Sequence, residues 1–325
     1  MATGGNPARS RGEVSGEHER RDTLSPSQNP HSSTRDAEPS GEDPLGLTLV
    51  HRPRGQRRAD IVFVHGLGGS SRKTWSHNRD PELFWPLKFL PSEPEINEAR
   101  ILTFGYNANF RPGSGRNKMS IPEFAMDLLC DLKHYKDEPV EGLEEPPMGE
   151  RPIIFIAHSM GGLIVKEACV NGRGDPAYRC IARAVSAIIF LSTPHRGSNL
   201  AKTLNRILQV SLATSPMQFI AELAPGSHTI QDLNEKFRHI APSLNIYSFY
   251  ETRPTALAFN TTKIMVLERD SSVLGYPGEI ARSLDADHHG VCKYTSPSDP
   301  RYISVRNVLK AVVGKISSSG MSSIF

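Results

Sequence analysis

Ser159 lies in Ala157-His158-Ser159-Met160-Gly161, between the apolar run Ile153-Ile154-Phe155-Ile156-Ala157 and a helix-forming stretch that starts at Gly161. A serine at such a junction suits nucleophilic acyl transfer. A strand passing straight into a helix through one strained residue holds the hydroxyl proud of the sheet, and the tight turn needs small neighbours. The usual spacing is G-x-S-x-G. Here Ala157 takes the first small position, and Gly162 adds a second glycine behind. The side chain of His158, beside the serine, is expected to point away from the site.

An acyl-transfer serine needs two N–H donors for the developing oxyanion, and each is worth about 2.7–4 kcal/mol in such sites. The residue after the nucleophile, Met160, is one expected donor. The other is Leu67, in the glycine-rich segment His65-Gly66-Leu67-Gly68-Gly69. A phosphate cradle is excluded by the absence of G-x-x-x-x-G-K-[ST], since Lys73 falls outside that register.

The serine also needs a base and an acid to orient it, in the chain order Ser, Asp or Glu, His. Asp285-Ala286-Asp287-His288-His289-Gly290 supplies the base, with His288 preferred and His289 the alternate. For the acid, Asp270 is preferred because it follows an apolar run and precedes the histidine. Glu251, directly after Asn245–Tyr250, is the alternate. His195, in STPHRGS, precedes both acids and is expected to take a structural or substrate-lining role instead.

The elements that position these residues read as short apolar strands alternating with helices. Strands are expected at 47–50, 59–64, 101–106, 153–157, 187–191, 245–250 and 263–267. Ser120 and Glu123 form a capping box that opens a helix with Ile121, Phe124, Ala125, Leu128, Leu129 and Leu132 on one face. Residues 301–316 read as a closing amphipathic helix. The pattern predicts an α/β fold: a mostly parallel central sheet with helices on both faces.

Residues 1–43 are Ser, Gly, Pro and charge with almost no aliphatic content, and are expected to form a disordered polar tail. The folded domain is expected over 44–316, with a flexible terminus at 317–325. Within it, residues 198–243 carry the apolar clusters Leu204, Ile207, Leu208, Val210 and Leu212, then Phe219, Ile220 and Leu223, then Leu233 and Phe237. They are not needed for the sheet and are expected either to form a helical cap with an acyl groove or simply to pack the core.

The 38 Lys and Arg against 35 Asp and Glu are scattered in both signs, giving a net charge of +3. No basic block tracks a phosphate backbone, so a nucleic-acid partner is not expected. The four cysteines form no C-x-x-C pair, which argues against a thiolate zinc site and suits a reducing compartment. No stretch approaches the ~18 apolar residues of a membrane span. The chemistry requires neither metal nor organic cofactor.

The segments DIVFVHGLGG, KTWS, AHSMGGLIVKEA, IIFLSTPHRGS and DSSVLGYPGE…DADHHGVCKY together resemble the serine-active-site-containing (SERAC-type) lipase-like proteins, over roughly residues 45–295. They also resemble the hydrolase domain at the N-terminus of many fungal NACHT or NB-ARC proteins. The resemblance implies an α/β-hydrolase fold and serine esterase or lipase activity on lipid or phospholipid substrates. It also implies peripheral membrane association at mitochondria or endoplasmic reticulum. It places the nucleophile on Ser159, the acid on Asp270 and the base on His288. A second class of reading is a catalytically silent hydrolase fold acting as a sensor or adaptor module.

Overall fold

The computed structural model describes residues 43–108, 120–137, 145–196, 203, 206–207, 210, 228–257 and 262–321. The polar tail up to residue 42, most of the expected cap and residues 322–325 lie outside them, with Leu204, Leu208, Leu212, Phe219, Ile220 and Leu223 among these.

Seven strands build one sheet: β1 (Gly46–His51), β2 (Ala59–Val64), β3 (Ala99–Gly105), β4 (Ile153–His158), β5 (Val185–Leu191), β6 (Asn245–Glu251) and β9 (Ile280–Leu284). Their spatial order is β1-β3-β2-β4-β5-β6-β9. Only β1 runs antiparallel to its neighbour; all the other pairings in this sheet are parallel. A separate two-stranded hairpin joins β7 (Thr255–Ala256) to β8 (Lys263–Ile264).

The α-helices that the described residues define from end to end are α1 (Trp85–Lys88), α2 (Ile121–His134), α3 (Met160–Gly174), α4 (Arg179–Ala184), α5 (His228–Phe237), α6 (Arg269–Ser272) and α7 (Pro300–Met321). The capping box of Ser120 and Glu123 starts α2 as the sequence predicts.

Successive side chains of a strand face opposite sides of its sheet. Accordingly, Val62, Val64, Phe155, Ala157, Ile188 and Phe190 pack in one core with α2 and α3. Ile61, Phe63, Ile154, Ile156, Ala187 and Ile189 pack in a second core with Trp85 of α1 and Tyr302, Val305 and Leu309 of α7. Burial on both faces explains why residues 61–64, 153–157 and 187–191 read as continuous apolar runs rather than alternating ones. Each fully buried aliphatic side chain contributes about 1.5–3 kcal/mol, so these central strands form a rigid platform. The catalytic candidates all sit at or beyond the C-terminal strand ends.

Three expectations change. The apolar run 263–267 contributes only Lys263–Ile264 to the hairpin and nothing to the main sheet. Its Val266 and Leu267 are buried in irregular backbone, with the Leu267 N–H directed to a side chain of β6. The final sheet strand is β9, Ile-Ala-Arg-Ser-Leu, which the sequence pattern misses. Its first four residues are exposed on the edge of the sheet, so it carries no run of buried apolar residues to signal it. The closing helix α7 continues past residue 316 to Met321.

Candidate active site

The turn after β4 has the strain the chemistry needs. Ser159 adopts φ 54° and ψ −126°, a positive φ that costs a non-glycine residue about 1–3 kcal/mol. Its N–H donates to the Leu191 carbonyl at the end of β5, 3.0 Å away, which holds the turn to the neighbouring strand. The crowding explains the glycines. A Cβ on Gly66 would lie 2.7 Å from Ser159 Cβ, and one on Gly162 would lie 2.8 Å from Thr193 Cβ.

His288 meets the serine. Its Nε2 lies 3.1 Å from Ser159 Oγ, and its Nδ1 lies 2.7 Å from Glu251 Oε2. The carboxylate requires the proton on Nδ1, which leaves Nε2 free to accept from the hydroxyl. Glu251 Oε1 accepts the Leu267 N–H at 2.9 Å, so both carboxylate oxygens are engaged. Ser159, Glu251 and His288 are all buried.

The structure thus places Glu251, the alternate acid, and not the preferred Asp270 beside His288. Asp270 sits in α6, a single turn, with its side chain 97% exposed and an Arg269 guanidinium 4.0 Å away. The strand expected to lead to it does not join the sheet, whereas β6 runs beside β5 and delivers Glu251 to the histidine. It is His288, not the alternate His289, that lies against Ser159. His289 Nε2–H donates to the Val210 carbonyl at 3.2 Å, and burial lowers the ring's pKa to about 4.

The N–H groups of Leu67 and Met160 have no hydrogen-bond acceptor among the described residues. Met160 opens α3, so its amide is one of the helix's orphan donors. The Leu67 loop is braced by His65, which is buried and stacked on Tyr106 with ring centroids 4.1 Å apart. His65 Nδ1–H donates to the Gly66 carbonyl at 2.9 Å, and Nε2 accepts the Tyr106 N–H at 3.2 Å. Burial depresses the His65 pKa to about 4, keeping the ring neutral in this role. Asp43 braces the far end of the same loop by accepting from Ser70 Oγ, from the Lys73 N–H at 3.0 Å and from the Arg72 N–H at 3.3 Å.

His195 is fully buried against Phe190, and neither ring nitrogen has a partner among the described residues, Ser159 and His288 included. Its backbone carbonyl accepts from Asn234 of α5, whose Oδ1 receives the buried Lys166 ammonium. Burial lowers the Lys166 pKa to about 7.

His158 departs from expectation. Its ring does not point away from the site but donates Nε2–H to the His288 carbonyl at 2.9 Å. Periodicity could not show this, because the partner lies 130 residues further along the chain.

Among the described residues no group of three or more His, Cys, Asp or Glu side chains could hold a metal ion. No helix within them is long and apolar enough to cross a membrane.

The domain family described as PGAP1-like alpha/beta domain matches residues 57–216, the span from β2 past the nucleophile turn. Protein SERAC1 of Danio rerio is 30% identical over 268 residues, covering 76% of this chain and 38% of that protein. Protein SERAC1 of Homo sapiens is 27% identical over 253 residues, covering 73% of this chain and 36% of that protein. This is a SERAC1-like chain with a PGAP1-like alpha/beta domain. It spans well under half the length of those relatives. Phospholipase PlaB from Legionella pneumophila superposes with a TM-score of 0.55 at 15% identity, covering 81% of this chain and 62% of that one. At that identity the likeness concerns the fold, which is that of an α/β hydrolase.

Proposed function

We propose that this SERAC1-like domain is a serine hydrolase of carboxylic esters, acting on lipid or phospholipid substrates. The observation that carries the reading is the continuous relay from Ser159 Oγ through His288 to Glu251, beside two backbone N–H groups with no acceptor among the described residues.

In this mechanism His288 Nε2 takes the proton of Ser159 as Oγ attacks the ester carbonyl. The N–H groups of Leu67 and Met160 receive the oxyanion. Glu251 stabilises the imidazolium and holds the imidazole in the required tautomer. His288 then protonates the departing alcohol, and a water activated by the same imidazole releases the acid from Ser159. The lipid class of the substrate is supported by the resemblance to SERAC-type proteins. Peripheral association with mitochondrial or endoplasmic-reticulum membrane belongs to the same resemblance.

The test is active-site labelling. A fluorophosphonate probe labels the folded wild-type protein and does not label Ser159→Ala. Absence of labelling on folded wild-type protein overturns the enzymatic reading and leaves the silent sensor or adaptor in its place. If labelling occurs, hydrolysis of p-nitrophenyl esters of increasing chain length then reads the acyl preference.

A further inference from the structure

We infer that His158 is a positioning residue that holds the catalytic base in register with the nucleophile, through its hydrogen bond to the His288 backbone. The inference rests on the triad reading given above.

His288 lies beyond β9 in irregular backbone, between Leu284 at the strand end and the short turn Gly290–Cys292. Neither a strand ladder nor a long helix holds its peptide groups there. Side chains hold them instead. The His288 N–H donates to Thr255 Oγ1 at 3.0 Å, and its carbonyl accepts from His158 Nε2–H at 2.9 Å. The base is thereby held through its N–H, its C=O and its ring.

The second of these anchors comes from the residue directly before Ser159. Strand β4 therefore places the nucleophile with one residue and the base's backbone with the residue next to it. A single imidazole thereby bridges a sequence separation of 129 between Ser159 and His288. Any shift at the end of β4 carries serine and histidine together, which preserves the 3.1 Å contact along which the proton moves. The rings of His158 and His288 lie 5.1 Å apart.

His158 is also suited to hold one protonation state. It is 5% exposed, and burial together with the nearby His288 keeps its pKa well below the ordinary histidine value. The facing groups His288, His289 and Lys293 all disfavour its charge, while the His288 carbonyl favours it. It stays a neutral donor while His288 cycles through the imidazolium. Gly66 leaves room for this ring, since a Cβ there would lie 3.1 Å from His158 Nδ1.

The experiment compares wild type with His158→Gln, His158→Leu and His158→Asn. Glutamine carries its amide N–H at about the reach of Nε2. Leucine fills space without donating, and asparagine donates but falls short. Three measurements are made: the fluorophosphonate labelling rate, the steady-state kinetics on p-nitrophenyl butyrate, and the downfield proton resonance of His288 Nδ1–H.

Leucine and asparagine are expected to lower the labelling rate and kcat by about 10²-fold, the effect of roughly 1 Å of misplacement, with KM unchanged. They also shift or broaden the Nδ1–H resonance, whereas glutamine retains all three properties. A wild-type resonance and wild-type rates in His158→Leu and His158→Asn overturn the inference, as does a glutamine variant as impaired as leucine. The resonance reports on positioning without turnover. A wild-type protein that never labels but loses its His288 signal in His158→Leu overturns the hydrolase reading and leaves the positioning role standing.

Discussion

Glu251 Oε2 lies 2.7 Å from His288 Nδ1, while the other oxygen of the same carboxylate accepts the Leu267 N–H. The carboxylate is thus fixed through both of its oxygens. Replacing it by glutamine keeps the shape but allows an amide N–H to face Nδ1, which favours the wrong tautomer. Glu251→Gln is expected to lower kcat by about 10⁴-fold, as loss of the acid does in comparable triads. Asp270→Asn, at an exposed side chain, leaves kcat unchanged. Steady-state kinetics on both variants decides between the two carboxylates, and the opposite pattern returns the role to Asp270.

Gly66 faces atoms that cannot retreat, since a Cβ there would lie 2.7 Å from Ser159 Cβ and 3.0 Å from the His158 carbonyl. Gly66→Ala must therefore displace either the nucleophile or the oxyanion loop. A fall of about 10²-fold in fluorophosphonate labelling rate is expected, consistent with a small misplacement of reacting groups. A Cβ on Gly55 would meet nothing within 4 Å, so Gly55→Ala serves as the control and labels at the wild-type rate.

Asp43 receives two backbone N–H groups and a hydroxyl from the segment that follows the Leu67 loop. Its pKa is lowered: burial acts in the opposite direction, and the Ser70, Lys73 and Arg72 contacts outweigh it. Asp43→Ala removes all three charge-assisted bonds, and a loss of only about 1.5 kcal/mol carried to the Leu67 loop corresponds to roughly tenfold in rate. Hydrogen exchange at the Arg72 and Lys73 amides should accelerate while KM stays fixed. Unchanged exchange at both amides would show that the loop is held without Asp43.

His289 links the base loop to Val210 and has a folded-state pKa of about 4 against an unfolded value of 6.5. Burial is the main cause, aided by His288 and Lys293 and opposed by Asp287 and the Val210 carbonyl. Between those two values the unfolded chain binds the extra proton. Stability is therefore complete above about pH 6.5 and falls as pH drops toward 4. The loss attributable to this ring is about 3 kcal/mol between pH 7 and pH 4. Urea unfolding should show His289→Gln losing less stability than wild type by that amount, because glutamine can still donate to Val210 without titrating. Parallel losses in the two proteins would count against the buried neutral ring.

Much of the site was legible in local sequence because its requirements are local. A serine between a wholly apolar strand and a helix, with glycines behind, describes the strained turn directly, and Ala59–Val64 announced its own burial on both faces. The loop at His65–Gly69 and the choice of His288 over His289 came from the same kind of reading. The acid did not. Glu251 and Asp270 both follow apolar runs, but the run before Asp270 pairs only through Lys263–Ile264 in a hairpin and then bends at Val266 and Leu267. That is decided by packing: Leu267 turns its N–H to Glu251, and the exposed edge strand β9, without an apolar signature, takes the place beside β6. The residues of this chain determined that a serine, a histidine and an acid were available. The order of strands across the sheet decided which carboxylate stands 2.7 Å from the imidazole, because a distance across 37 residues of chain depends on strand neighbours that no local pattern records.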